Sequence, residues 1–187
     1  MEIRRNKDLE RRLVWAINKA VSDDIPQMLG EHQLDTHNFL GHFRGDCINT
    51  NLRLGVIPEN IILLPLHRGG YVGRLVIDHT AKITYSITTE QNLRLIPKKK
   101  GRRTPHFLQT LLGIENANYE SECKQLTFMP MSSFDHNTLQ EDFDSIIADI
   151  FSPSEGYVHY IIAYTPSKSG LLDVQLLFLD KDFDVID

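Results

Sequence analysis

Between Ile61 and Thr88 the apolar residues stop recurring at helical steps, and three β-rich runs follow one another at hairpin spacing. The runs are Ile61 to Leu66, Tyr71 to Ile77 and Lys82 to Thr88. Arg68-Gly69-Gly70 separates the first two, and Asp78-His79-Thr80-Ala81 the second and third. Glycine reaches positive φ without strain and Asp bonds its own turn, so both links read as hairpin connections. A meander of this kind has faces to cover, and the helical stripes on either side of it are what can cover them.

The first stripe occupies residues 5–24, where Leu9, Leu13, Ala16, Ile17 and Ala20 recur every three or four positions. Asp24 before Ile25-Pro26 predicts the start of a short second helix, since Pro is tolerated in a first turn. Residues 36–53 predict a third, with Phe39, Leu40, Phe43, Cys47, Ile48 and Leu52 on one face and Gly55 and Pro58 as the stop. Gly41 and Gly45 weaken that helix unless something packs closely against them. Beyond the meander, Thr89 to Ile96 predicts a short helix, and Thr104-Pro105 a helix running through Leu112 and closed by Gly113. Residues 114–136 are polar and irregular apart from an expected strand at Leu126 to Met129. Asn137 followed by Gln140 marks a helix start, and Leu139, Phe143, Ile146, Ile147, Ile150 and Phe151 make the strongest stripe in the chain. Two long strands close the sequence, Tyr157 to Thr165 and Leu171 to Leu179, with a short one expected at Phe183 to Ile186.

These elements predict one α+β domain over residues 1–187, with a helical part in 1–55 and a sheet-forming part in 56–187. The sheet is expected to be mainly antiparallel, built from the central meander plus the C-terminal hairpin, with helices packed on it. The strand at Tyr157 is apolar on both sides: Ile161 and Ala163 point one way, Tyr160, Ile162 and Tyr164 the other. Such a strand is covered by helices or meets a second molecule. The expected cover is the Leu139–Phe151 helix on one side and the first and third helices on the other. A monomer is therefore expected, with a homodimer as the alternative.

No run approaches the roughly 18 apolar residues of a membrane span. The N-terminus, Met1 to Arg5, leads into an amphipathic segment and does not read as a secretory signal. Cys47 and Cys123 do not form a CxxC pair, and a reducing, cytoplasmic setting fits them. With 41% hydrophobic and 24% charged residues, the composition argues against wholesale disorder.

Charge is distributed unevenly. Residues 135–187 carry eleven Asp and Glu against two Lys, whereas residues 1–134 carry fourteen acids against eighteen bases. Five bases, Lys98, Lys99, Lys100, Arg102 and Arg103, fall within six positions broken only by Gly101. A basic loop neutralises phosphates and binds nucleic acid without regard to sequence; alternatively it is solvated, or pairs with the acidic C-terminal third. On the first helix Arg11, Arg12 and Trp15 gather opposite the apolar stripe, and an exposed Trp between arginines stacks on bases or anchors an interface unless another element covers it.

The succession Phe43-Arg44-Gly45-Asp46, Asn49-Thr50-Asn51-Leu52 and Arg68-Gly69-Gly70 resembles a bacterial family of unknown function. The Leu75 to Thr88 hairpin with Asp78 and Tyr85, the Pro105-His106-Phe107-Leu108 helix start and the Val174 to Val185 segment are similar too. The resemblance implies a bacterial protein carried by a prophage or mobile element, and it implies no activity.

Catalytic and metal signatures are weak. His32, His37 and His42 are five apart, whereas a helical zinc pair needs a spacing of four. Asp180, Asp182 and Asp184 imitate the start of a calcium loop, but Val185 stands at the glycine position. Ser132, Ser133, Cys123 and His136 are near in sequence, which does not make a triad. His136-Asn137-Thr138 is half of a two-histidine phosphoesterase pattern, and Gly69-Gly70-Tyr71-Val72-Gly73 lacks the ending of a phosphate-binding loop. Arg44, Asp46 and Asn49, with Arg68, form a polar group for which a structural salt-bridge network is the expected role.

The leading expectation is a non-enzymatic protein acting on nucleic acid or on a nucleic-acid-handling protein, through Lys98, Lys99, Lys100, Arg102, Arg103, Arg11, Arg12 and Trp15. No catalytic residue, metal or other cofactor is assigned. The alternative is a metal-dependent nuclease or phosphodiesterase, for which Asp46, Asp78 and Glu90 would have to converge. A third reading is an adaptor or inhibitor whose acidic surface imitates nucleic acid.

Overall fold

The computed structural model describes residues 4–32, 36, 38–55, 58–68, 71–99, 101–122, 134–147 and 150–186. Helix α1 (Lys7–Lys19) runs through one wide turn (Ala20–Asp24) into α2 (Ile25–Glu31), and α3 (Leu40–Leu54) follows. Strands β1 (Ile61–Arg68), β2 (Tyr71–Asp78) and β3 (Ile83–Thr89) form the meander. Helices α4 (Glu90–Leu95), α5 (Phe107–Glu115) and α6 (His136–Ile147) lead to β4 (Val158–Ser167) and β5 (Gly170–Phe178).

The five strands lie in the order β1-β2-β3-β4-β5. The α+β class holds, and three of the four junctions are antiparallel. The sheet is nevertheless mixed, because β3 and β4 pair in parallel, from Ile83 opposite Val158 to Thr89 opposite Tyr164. The cause is the long connection: α4, α5 and α6 carry the chain back across one face, so β4 starts at the same edge as β3.

Strand alternation divides the core in two. Val76, Tyr85, Ile87, Tyr160 and Ile162 pack with Leu9, Leu13 and Ile17 of α1 and with Ile48 and Leu52 of α3. On the opposite face Leu75, Ile77, Ile161 and Ala163 pack with Leu108, Leu111 and Leu112 of α5 and with Phe143 and Ile147 of α6. The result is a three-layer molecule, and the two-sided apolar strand β4 is covered on both faces, with Tyr160 and Tyr164 buried.

Several expected boundaries move. Asp24 does not cap α2, because it lies inside a continuous helical path; its carboxylate takes Asn51 Nδ2 at 2.8 Å and Lys19 Nζ at 2.6 Å. Helix α5 starts two residues after Pro105, with a capping box between His106 and Gln109, and it passes through Gly113 to Glu115. The last expected strand contracts to a single bridge between Leu179 and Val185. The expected strand at Leu126 to Met129 lies outside the described residues. No described helix is long and apolar enough to cross a membrane.

Candidate functional site

The parallel pairing decides where an open site can form. Both β3 and β4 end at one edge of the sheet, and α3 lies over that edge on the α1 side. Between them opens a groove of about 890 Å³, within the range of small-ligand sites. Arg44, Asp46 and Asn49 reach it from α3, Arg74 from β2, Thr88 and Thr89 from β3, Tyr164 and Thr165 from β4, and Glu90 and Arg94 from α4.

Arg44 hydrogen-bonds the Tyr164 hydroxyl, and burial pushes that phenol above its ordinary pKa despite the nearby guanidinium. The Nε atoms of Arg44 and Arg74 are both shut off from solvent and have no hydrogen-bond partner. Glu90 is engaged, since it accepts from Arg94 and from Thr165 Oγ1 at 2.9 Å. The carboxylate of Asp46 is exposed at the rim. Two guanidinium groups therefore face a groove whose acids are one engaged and one peripheral. Such a groove suits an anion, because Arg presents a planar fork of donors to phosphate or carboxylate oxygens.

Gly41 and Gly45 also line the groove. Among the described residues nothing packs closely against either, since a Cβ would meet nothing within 4 Å. Their missing side chains leave the α3 wall of the groove bare.

The fold scatters the other candidate residues. Arg68 leaves the Arg44 group altogether and pairs with Asp142 of α6, which also takes the Thr110 hydroxyl. Asp78 is fully buried at the opposite end of β2, where it accepts Thr80 N at 2.9 Å, Ala81 N at 3.0 Å and Asn6 Nδ2 at 3.2 Å. Asp46 and Glu90 share the groove, but Asp78 is four strand steps, about 13 Å, from Arg74 along β2, so the three carboxylates do not converge. Among the described residues no group of three His, Cys, Asp or Glu is placed to hold a metal. Asp180 is buried and accepts Ser121 N, Asp182 N and Asp184 N, a turn that its oxygens hold together. His42 lines the groove, His32 and His136 are exposed, and His37, Cys123, Ser132 and Ser133 lie outside the described residues.

Lys98, Lys99 and Arg103 are exposed beyond α4, and Lys100 lies outside the described residues. Gly101 takes a left-handed φ of 71°, and Arg102 after it is half-buried and directed inward, its Nε shut off from solvent and without a hydrogen-bond partner among the described residues. Burial, with the charges of Arg102, Arg68 and Lys99, pushes His106 down to about 4. On α1, Arg11 is exposed and pairs with Asp8 at 3.0 Å, and Arg12 is exposed as well. Trp15 is 47% exposed, with one ring edge toward Gly55. Trp15 is not part of the groove lining, although Gly55 follows the lining residue Leu52 by three positions.

A second polar cluster is sealed inside the sheet. Thr84 Oγ1 bonds the Glu115 carboxyl and lies 2.7 Å from His159 Nδ1, and Ser86 Oγ lies 2.9 Å from His159 Nε2. Burial pushes Glu115 up to about 8 and His159 down to about 3, so both are neutral and their 3.6 Å approach is not an ion pair. Ser86 and His159 are buried at 1% and 0% exposure, so this Ser-His-acid order has no route for a substrate. It is a structural network, fastened by Asn116, which donates to the carbonyls of His159 and Leu179.

Sequence reasoning missed Arg74 altogether and placed Tyr164 only as an apolar position of the two-sided strand. Arg74 did leave a trace: it is a charge at the same alternation as the apolar Val72 and Val76. No curated protein and no solved structure matches the chain. The model of one family, described as a family of unknown function (DUF5986), matches residues 3–187. The chain belongs to that family.

Proposed function

We propose that the protein binds nucleic acid, using the groove between α3 and the ends of β3 and β4 together with the basic loop beyond α4. The observation that carries this reading is the placement of Arg44 and Arg74, two guanidinium groups from α3 and β2, in the lining of one open groove. Helix α4 begins at that groove, and Lys98 and Lys99 follow its last turn as exposed cations. The two features offer phosphate contacts at separate points, which suits a strand passing from loop to groove. Because the sheet is covered on both faces by the chain's own helices, the reading takes the protein to act as a monomer, in the cytoplasm.

The test is a salt titration with labelled single-stranded DNA and RNA. Five contacts, from Arg44, Arg74, Lys98, Lys99 and Arg103, predict a log–log slope of about −3.5 on single strands. Replacing Lys98 and Lys99 by Ser is expected to flatten that slope by about 1.4. No binding of either strand or of duplex at low ionic strength refutes the proposal.

A further inference from the structure

Within that reading, which this inference deepens, we infer that the groove recognises a terminal phosphate, a phosphomonoester dianion on the end of a strand or on a free nucleotide. Three observations converge on it. First, Arg44 and Arg74 come from different layers, α3 and β2, and line the same groove, so an anion there can meet guanidinium groups from two sides. A singly charged bridging phosphate carries a sugar on both sides and tracks exposed cations such as Lys98 and Lys99. A terminal phosphate carries one substituent and up to two charges, and it can enter a recess that the middle of a strand cannot.

Second, the recess is otherwise kept from closing on itself. Glu90, the acid nearest in role to a competing anion, is held by Arg94 and Thr165. Tyr164, 5% exposed, holds Arg44 by a hydrogen bond and so limits its freedom before any ligand arrives. The opposing charge that remains in the lining is Asp46, which is exposed.

Third, Gly45 sits inside α3, where it costs stability relative to Ala, Gly41 sits in the first turn, and no neighbour among the described residues needs the smallness of either. What their absent side chains leave is room in the groove. A helix weakened on the side that faces an open recess is explained by a ligand that occupies it.

The experiment compares one single-stranded decamer with a 5′-phosphate, a 3′-phosphate or hydroxyl ends, by fluorescence anisotropy, with AMP and inorganic phosphate titrated separately by calorimetry. Binding to a phosphorylated end is expected to be about tenfold tighter or more than to the hydroxyl strand, the scale of a paired guanidinium contact to a charged oxygen. Arg74→Lys, which keeps the charge and loses the fork, is expected to reduce that preference to about twofold or less. Gly45→Leu is expected to melt at a higher temperature than wild type and yet lose the preference, because it strengthens α3 while filling the groove. That pairing separates ligand loss from misfolding. If AMP or phosphate binds in an Arg74-dependent way and no strand does, the terminal-phosphate site stands and the nucleic-acid reading falls. If strands bind equally with and without end phosphates, and AMP and phosphate do not bind, the nucleic-acid reading stands and this inference is overturned. Retention of the full preference in Gly45→Leu also overturns it.

Discussion

The sealed Glu115–His159 cluster makes stability depend on pH in a way that can be worked through group by group. Glu115 has an ordinary carboxyl pKa of 4.5 and is pushed up to about 8 by burial. Between those values the unfolded chain has released the proton that the folded chain keeps, so the stability tied to Glu115 falls as pH rises. His159, lowered from 6.5 to about 3, acts in the opposite sense. Between those values the unfolded chain has taken up a proton that the folded chain refuses, so stability rises with pH. His106, lowered from 6.5 to about 4, adds to that rise.

From pH 4.5 to 6.5 the Glu115 and His159 effects cancel, and His106 leaves a net rise. Above pH 6.5 both histidines are neutral in either state, and Glu115 alone remains, with a slope of about −1.4 kcal/mol per pH unit. Stability is therefore expected to peak near pH 6.5 and to fall by about 2 kcal/mol on reaching pH 8. Glu115→Gln keeps the shape and removes the proton, so its curve is expected to rise to pH 6.5 and then stay level. Urea unfolding followed by circular dichroism from pH 5.5 to 8.5 reads both curves directly. The reasoning is refuted if the wild-type protein is level or gains stability from pH 6.5 to 8, or if Glu115→Gln falls in parallel with it.

Two further substitutions probe the packing that holds the site's scaffold. Asn116→Ala removes donors to the His159 and Leu179 carbonyls and the acceptor for His159 N at 2.8 Å, and is expected to cost about 3 kcal/mol in urea unfolding. A loss below 1 kcal/mol, read as about one hydrogen bond, would mean the network is not under load there. Gly170 holds φ at 129° and an added Cβ would stand 2.8 Å from Ser22 Oγ, so Gly170→Ala is expected to lower stability by about 1–3 kcal/mol. A thermal melt unchanged from wild type would contradict that strain.

Local patterns in the sequence were enough for the helical stripes, the three-strand meander, the two-sided strand β4 and the helices that cover it. Each of these rests on periodicity, which neighbouring residues carry among themselves. Turn and cap positions were less legible. Asp24 has the chemistry of an N-cap, but the helix path continues through it and Asn51, distant in sequence, takes its carboxylate. Gly41 and Gly45 were visible as an expense on α3, while the open groove that they line was not.

What only the tertiary structure decided is the parallel β3–β4 junction and everything that depends on it. Strand direction is set by how a connection of many residues crosses a face, and no local pattern encodes that crossing. Arg74 and Arg44 come to line one groove, while Arg68, expected in the Arg44 group, pairs with Asp142 of α6, and Asp78, a candidate carboxylate with Asp46 and Glu90, is buried at the far end of β2. The amino-acid sequence determined which faces are apolar; the long-range crossing, a sum over many weak contacts, determined which charges meet.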